Sequence, residues 1–272
     1  MKALLVGYGK MGRAIEAVLV QRGHGVTGRF RRGEICLEGK EGNGNATADL
    51  AAAVQPASPV SSPSKKIFSF SSDLPNCDIA FEFTAPDAAP RVVPFFLSKK
   101  IPVLSGTTGW DIAPAVRQAR EQQILFLHSS NFSLGVAALR RAVAVAAAAL
   151  AAFPEFEPGI VERHHSKKKD APSGTAKMLA STLEEASGRA GVPIASLRQG
   201  GAPGEHLVFF EGEDETVELV HRARSRAIFA QGAVRAAEWM LSSGRKGPLT
   251  FDEFFTATTE ANALLGRGRR AP

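Results

Sequence analysis

The sequence predicts an α/β protein: a doubly wound parallel sheet in the first half, followed by a smaller α+β domain. Three observations carry this expectation. A short apolar strand at residues 2–6 runs into a glycine turn and then a helix. Strand and helix patterns then alternate with short links as far as His128. Beyond an alanine-rich helix the order changes, and two strands follow one another through a tight acidic turn.

Each element has its own reason. Residues 2–6 (KALLV) end in an unbroken apolar run, as a buried parallel strand requires. Gly7, Gly9 and Gly12 follow, and Ala14, Ile15, Val18 and Leu19 then share one side of a helix over Arg13–Gln21. Residues 25–29 (GVTGR) read as a weak second strand. From Arg31 to Lys66 the periodicity fails, and the stretch 57–64 (ASPVSSPS) reads as a flexible surface loop. Order returns with a strand at Ile79–Phe83, a helix over 88–99, a strand at Pro102–Ser105, a helix over 113–122 and a strand at Ile124–His128. Such alternation is the pattern of a Rossmann-type doubly wound sheet. Later, Gly159–Arg163 is strand-like and Ser173–Ser187 helical. His206–Phe210 and Thr216–Arg222 pair as antiparallel strands across Glu211-Gly212-Glu213-Asp214, and Ile228–Leu241 reads as a final long helix. The expected division is a first domain over 1–131, a second over 132–234, and a segment over 235–272 returning to the first.

Composition narrows the function. A length of 272 residues suffices for one large or two modest domains, and 44% hydrophobic with 22% charged residues excludes a disordered chain. The 33 Lys+Arg against 27 Asp+Glu leave +6, compatible with nucleic acid, a membrane surface or a small anion. Cys36 and Cys77 are too few for a disulfide framework and lack metal-ligand spacing, so a reducing, cytoplasmic setting and no metal are expected. The N-terminal apolar run is too short for a signal peptide. The stretch Val136–Phe153 is dominated by alanine and broken by Arg140 and Arg141, which makes it a half-buried helix rather than a membrane span.

The chemistry-bearing residues begin with Gly7-Tyr8-Gly9-Lys10-Met11-Gly12. Between a strand and a helix, this spacing permits a tight turn, close approach of a pyrophosphate and close helix packing. A glycine-rich turn in an unrelated α/β domain has the same letters. No acid ends the second strand, where one would hold the ribose hydroxyls of NAD. Arg29 or Arg31 stands there instead, suited to the 2′-phosphate of NADP or else simply solvated. Thr84, the run Gly106-Thr107-Thr108 and the run Ser129-Ser130-Asn131-Phe132 all follow predicted strands, where an open sheet lines its ligand crevice. The densest stretch runs from Glu162 to Ala176. It holds His164, His165, Lys167, Lys168 and Lys169, then Ser173-Gly174-Thr175 at an expected helix start. Imidazole, crowded ammonium groups and free helix N–H groups suit an anionic substrate that needs proton transfer. Crowding also depresses lysine pKa values. A solvated charge run or paired metal-binding histidines are the competing readings, and no third ligand at metal spacing supports the latter.

At this point a resemblance becomes specific. Glu162-x-His164-His165-x-x-Lys168-x-Asp170-Ala171-Pro172-Ser173-Gly174-Thr175-Ala176 resembles the signature of the 4-hydroxy-tetrahydrodipicolinate reductase (dihydrodipicolinate reductase) family. The glycine motif, Phe83-Thr84-x-Pro86, Gly106-Thr107-Thr108-Gly109, Asn131-Phe132-Ser133, Gly204-Glu205-His206 and the run from Ser225 to Ala237 match in order. The resemblance implies an NAD(P)H-dependent reductase of diaminopimelate and lysine biosynthesis. Its second domain would bind substrate and build a homotetramer. His164 would be the general acid/base and Lys168 the proton donor. His165, Ser173, Gly174 and Thr175 would hold the substrate dicarboxylate. Gly7 to Gly12, Thr84, Gly106 to Thr108 and Ser129 to Phe132 would hold the cofactor, expected to be NADPH in preference to NADH. Some departures stand out: the region 176–203 is shorter than usual, with its strand thinned to 197–203, and Glu82 stands where Asp is common.

Two other functions compete. One is another Rossmann-type oxidoreductase of a small anion, which needs no His-His-x-x-Lys beside Ser-Gly-Thr. The other is a silent NADP-binding regulator, which needs neither His164 nor Lys168. Nucleic acid is a poor fit, because the basic run lacks interleaved aromatic residues. The charge excess is local: Arg163, Lys167, Lys168 and Lys169 sit together, as do Arg29, Arg31 and Arg32.

Overall fold

The computed structural model describes residues 1–31 and 74–267, so the loop expected at 31–66 and Cys36 lie largely outside the described residues. The glycine turn does not delay the first helix. After β1 (Lys2–Val6), α1 (Lys10–Gln21) starts inside the glycine motif, with Gly9 as its N-cap. The chain continues through β2 (Gly25–Phe30), β3 (Ile79–Glu82), α2 (Ala89–Ser98), β4 (Val103–Ser105), α3 (Ala113–Gln122) and β5 (Phe126–His128). These strands pair only in parallel, and β10 (Pro248–Thr250) joins beyond β5, giving the order β10-β5-β4-β3-β1-β2. The order reverses at β1, with β2 on one side and β3 on the other. A crevice therefore opens outside the carboxyl ends of β1 and β3. The Rossmann-like α/β expectation holds.

The sheet is apolar on both faces. Leu5, Phe81, Leu104 and Leu127 pack with α1 and with Ala230, Ala233, Val234, Ala237 and Met240 of α6 (Ala227–Ser242). Leu4, Val6, Ala80, Val103 and Phe126 pack against α2 and α3 on the other face. α6 is not the last helix, contrary to the sequence expectation. It is followed by β10 and by α7 (Phe251–Arg267), whose Phe251 and Phe254 are buried in the same core as α6. Three residues are too few for β10 to show a period, and its pairing with β5 is a tertiary event.

The second sheet has the order β7-β6-β8-β9, formed by β6 (Glu157–His164), β7 (Ile194–Arg198), β8 (Glu205–Glu211) and β9 (Thr216–Arg222). β6 runs parallel to β7 and antiparallel to β8, and β8 runs antiparallel to β9. β7 appears where the sequence suggested only a thinned remnant over 197–203. One face is covered by α4 (Leu134–Leu150) and α5 (Gly174–Ser187), burying Leu139, Val143, Ile160, Leu179, Val208 and Phe210. The other face carries Val161, Leu197 and Val220, all exposed. α4 is the expected alanine-rich helix; its Arg140 pairs with Asp252 at 2.5 Å. No helix among the described residues is long and apolar enough to cross a membrane.

Candidate active site

The glycine motif forms a cradle. Gly7 has φ +93°, and a Cβ there would lie 2.2 Å from the Phe83 carbonyl oxygen. The β1 turn thus presses on the end of β3. A Cβ on Gly9 would meet nothing within 4 Å, so the space above it is open. No side chain caps α1 and no acid occupies its first turn. An open, uncapped helix N-terminus beneath a glycine turn fits a pyrophosphate. The residues present therefore fit a dinucleotide.

Around Tyr8 stand three guanidinium groups: Arg13 and Arg29 at 6.0 Å from its ring and Arg31 at 5.9 Å. Glu16 accepts hydrogen bonds from the Tyr8 hydroxyl and from Arg29 Nε at 2.8 Å. Arg29 holds the Glu16 carboxyl below its usual range, and the Glu16 hydrogen bond raises the Tyr8 phenol. Arg13 and Glu16 were not singled out from the sequence. Their signal is the i, i+3 spacing that puts both on the face of α1 beside the glycine turn.

Glu82 ends β3 as an acid with no exposed surface. It accepts from Ser105 Oγ and Thr107 Oγ1, both at 2.6 Å, from the Thr84 N–H at 2.9 Å, and from the Thr84 hydroxyl. One carboxylate thereby ties the loop after β3 to the loop after β4. Thr107 is buried, whereas Thr108 faces solvent. Gly106 lies under the Phe83 ring.

After β5, Ser129 Oγ donates to the Asn131 carbonyl at 2.7 Å, and Ser130 is exposed. The Phe132 ring is buried against Phe83 and Phe251, so its side chain serves the core. Asn131 Nδ2 donates to Thr175 Oγ1 at 3.0 Å. This bond joins the loop after β5 to the start of α5.

The second sheet supplies a polar rung. Strand alternation places Ile160, Glu162 and His164 on the helix-covered face. Register then aligns Ser196 of β7, Glu162 of β6, His206 of β8 and His221 of β9 in one row, with Arg198 beside His164. Glu162 has no exposed surface, and His164 and His206 are buried. Glu162 Oε1 accepts from the Ser173 N–H at 2.9 Å, Ser196 Oγ at 2.7 Å and Arg198 Nη2 at 2.6 Å. Burial alone would push this carboxyl up, but the bonds from Ser173, Arg198 and Ser196 outweigh it and hold the pKa at about 2. Ser173 caps α5 by accepting from the Ala176 N–H at 3.2 Å.

His164 Nδ1 lies 3.1 Å from Glu162 Oε2, though the two are not in line for a hydrogen bond. Burial pushes the imidazole pKa down, while Glu162 pulls it up and Lys168 and Arg198 push it down again. Gly204 has φ +146°, and a Cβ there would lie 3.1 Å from His164 Nε2, so glycine leaves space for the outer edge of the ring. His206 stacks edge-on to His164 with ring centroids 5.1 Å apart, and burial first of all lowers its pKa to about 4. The Lys168 ammonium is paired with an acid, 2.8 Å from both oxygens of Asp170. His165 is half-buried, and a Cβ on Gly174 would meet nothing within 4 Å.

Glu162, His164 and His206 place one ligand atom each within 4.8 Å of one another, close enough for a metal ion. The local charge opposes one. Arg198 already neutralises Glu162, and the Lys168 charge beside His164 is paired with Asp170, so no net negative charge is left to attract a cation. The arrangement suits proton handling beside an anion. Glu162, Arg198 and His206 were missed as site residues because their roles come from strand register, which no local motif reveals.

Comparison with known proteins identifies related chains. Residues 1–132 match the family model described as dihydrodipicolinate reductase, N-terminus, and residues 135–255 match the corresponding C-terminus model. A 4-hydroxy-tetrahydrodipicolinate reductase of Stenotrophomonas maltophilia (strain K279a) is 40% identical over 221 residues, covering 79% of this chain and 88% of that protein. One from Xanthomonas euvesicatoria pv. vesicatoria (strain 85-10) is 45% identical over 170 residues, covering 61% of this chain and 68% of that protein. Among solved structures, a dipicolinate-bound dihydrodipicolinate reductase from Paenisporosarcina sp. TG-14 shares the fold. It has a TM-score of 0.64 at 21% identity, covering 92% of this chain and 97% of that one.

Proposed function

The chain belongs to the dihydrodipicolinate reductase family, and on that premise we propose that His164 and Lys168 carry the proton chemistry of its reaction. It is an oxidoreductase that uses a nicotinamide cofactor to reduce 4-hydroxy-tetrahydrodipicolinate, a step toward diaminopimelate and lysine. The nicotinamide, when bound, supplies a hydride to C4 of the cyclic dicarboxylate left after the 4-hydroxyl departs as water. The electron pair displaced from C4 passes through the ring toward nitrogen, giving an anionic enamine. A proton at the adjacent carbon then completes tetrahydrodipicolinate.

The protein's residues divide this work. The free N–H groups at the start of α5, with Ser173, Gly174 and Thr175, hold one carboxylate of the substrate, and His165 meets the dicarboxylate from the side. Lys168 and the imidazole of His164 stabilise the enamine anion and deliver the proton. Gly7 to Gly12 take the pyrophosphate, with Lys10 at the helix start. Thr84, Gly106 to Thr108 and Ser129 to Phe132 line the nicotinamide end. Arg29 and Arg31 face the ribose, which favours NADPH over NADH. The single observation that supports this reading is the Asn131–Thr175 hydrogen bond of 3.0 Å, which joins the loop after β5 to the start of α5. The exposed apolar face at Val161, Leu197 and Val220 supports a homo-oligomer, tetrameric by family likeness. A monomer in sedimentation experiments at micromolar concentration would remove that part.

A coupled assay tests the activity. The substrate is generated from pyruvate and aspartate semialdehyde by the preceding synthase, and NADPH and NADH oxidation are followed. Consumption of NADPH in preference to NADH is expected. No consumption of either by folded protein contradicts the reading.

A further inference from the structure

We infer that Glu162 is a positioning residue for His164: its buried carboxylate turns the imidazole Nδ1 into the sheet and links that orientation to the N-terminus of α5. The inference rests on the reading of His164 as the group that moves the proton. Four observations carry it. Glu162 and His164 are two residues apart on β6 and share its covered face. Oε1 of Glu162 is held by three donors on two different segments: the Ser173 N–H before α5, and Ser196 Oγ and Arg198 on β7. With one oxygen anchored, the other cannot drift. That second oxygen, Oε2, is buried without a hydrogen bond and sits 3.1 Å from Nδ1, which is also buried without one. Burial leaves each with no better partner than the other, since an unpaired buried polar atom is costly. Gly204 then leaves room along the opposite edge, at Nε2.

The charges around His164 are Glu162 on β6, Arg198 on β7, His206 on β8, and Lys168 and Asp170 on the loop, with His221 on β9 behind His206. Glu162 is foremost among those that favour the imidazolium; Arg198 and Lys168 oppose it. A purely structural role for Glu162 requires only an acceptor for Ser173, Ser196 and Arg198. Glutamine supplies that acceptor. Only positioning and charge on His164 require the carboxylate. An amide at Oε2 would offer N–H to Nδ1 and invert the tautomer.

The test is Glu162→Gln, with Glu162→Asp, His164→Gln and the double variant Glu162→Gln/His164→Gln. For Glu162→Gln, kcat should fall about 10- to 100-fold, on the scale of lost second-partner orientation, with KM for the nucleotide unchanged. The basic limb of kcat/KM against pH should move to lower pH, and the His164 imidazole titration followed by NMR in the free enzyme should move the same way. Glu162→Asp keeps the charge but withdraws it by one methylene, and should fall between wild type and Glu162→Gln. The double variant should be no slower than His164→Gln alone. A wild-type rate and pH limb in Glu162→Gln overturn the inference. So does a double variant slowed by the product of the single effects. If Glu162→Gln does not fold, a wild-type rate and limb in Glu162→Asp overturn it instead. Full activity in His164→Gln would sink the proton-transfer reading, whereas the NMR titration of His164 would still judge the positioning.

Discussion

Alanine at Gly7 and at Gly9 should separate the two tasks of the glycine turn. At Gly7 a Cβ would lie 2.2 Å from the Phe83 carbonyl oxygen, 2.4 Å from its carbon and 2.8 Å from the Thr84 nitrogen. All three are backbone atoms, so β1 and β3 must part by about 1 Å to reach contact distance. The left-handed φ of +93° adds strain of about 1–2 kcal/mol for a residue with a side chain. Overpacking adds about 1–3 kcal/mol, for a total of about 2–5 kcal/mol. At about 2–4 °C per kcal/mol for a chain of this size, Gly7→Ala should unfold about 4–20 °C below wild type. At Gly9 the Cβ meets no protein atom within 4 Å, and φ is −94°. Gly9→Ala should therefore melt with the wild type. Its methyl stands where a pyrophosphate must approach the backbone, so nucleotide affinity should fall at least about tenfold, the value of a charge-assisted hydrogen bond. Calorimetry gives the first quantity and nucleotide titration the second. Wild-type nucleotide affinity in Gly9→Ala refutes pyrophosphate binding at this turn, and wild-type stability in Gly7→Ala refutes the steric argument.

Other outcomes follow from the same geometry. Arg29→Ala and Arg31→Ala should each raise KM for NADPH about tenfold while changing KM for NADH much less; equal effects on both would leave the 2′-phosphate contact without support. Acid should destabilise the fold. Burial lowers the pKa values of His164, His206 and His221 in the folded protein, that of His206 to about 4, so the unfolded chain binds more protons as pH falls below about 6.5, for His206 down to about 4. Stability is then lost as pH falls through that window, by about 3 kcal/mol for His206 alone at its lower end. Below it, protonation of Glu162 toward its value of about 2 removes more. A melting temperature that stays constant from pH 7 to 4.5 would contradict this. Gly204→Ala puts a methyl 3.1 Å from His164 Nε2 on a backbone at φ +146°. It should lower kcat at least about tenfold without weakening nucleotide binding, a scale set by misplacing a general acid; unchanged kcat would mean that edge of the ring is not used.

Much of the fold was legible because its signals are local. The run KALLV, the three glycines and the apolar side of α1 announce a strand, a turn and a helix within twenty residues, and β3, β4 and β5 repeat the pattern. β7 was blurred and β10 was missed for a different reason. IASLR exposes three of its five residues, and Pro248–Thr250 is three residues long, so both owe their identity to a neighbouring strand. The helix α7 went unread because its aromatic face is interrupted by threonines and acids. The site shows the same division. The stretch from His164 to Thr175 announces itself through its letters. Glu162, Arg198 and His206 acquire their place only when β6, β7 and β8 come into register. Glu82 had a usable signal, an acid at the end of an apolar strand, and its four donors explain it.

The central claim is that His164 moves the proton that accompanies hydride addition. The most direct measurement is the turnover of His164→Gln in the coupled assay, with nucleotide affinity measured on the same preparation. A fall in kcat of about 10²-fold or more, at unchanged nucleotide affinity, is the predicted result. Wild-type turnover in that variant would contradict the account and reassign the acid.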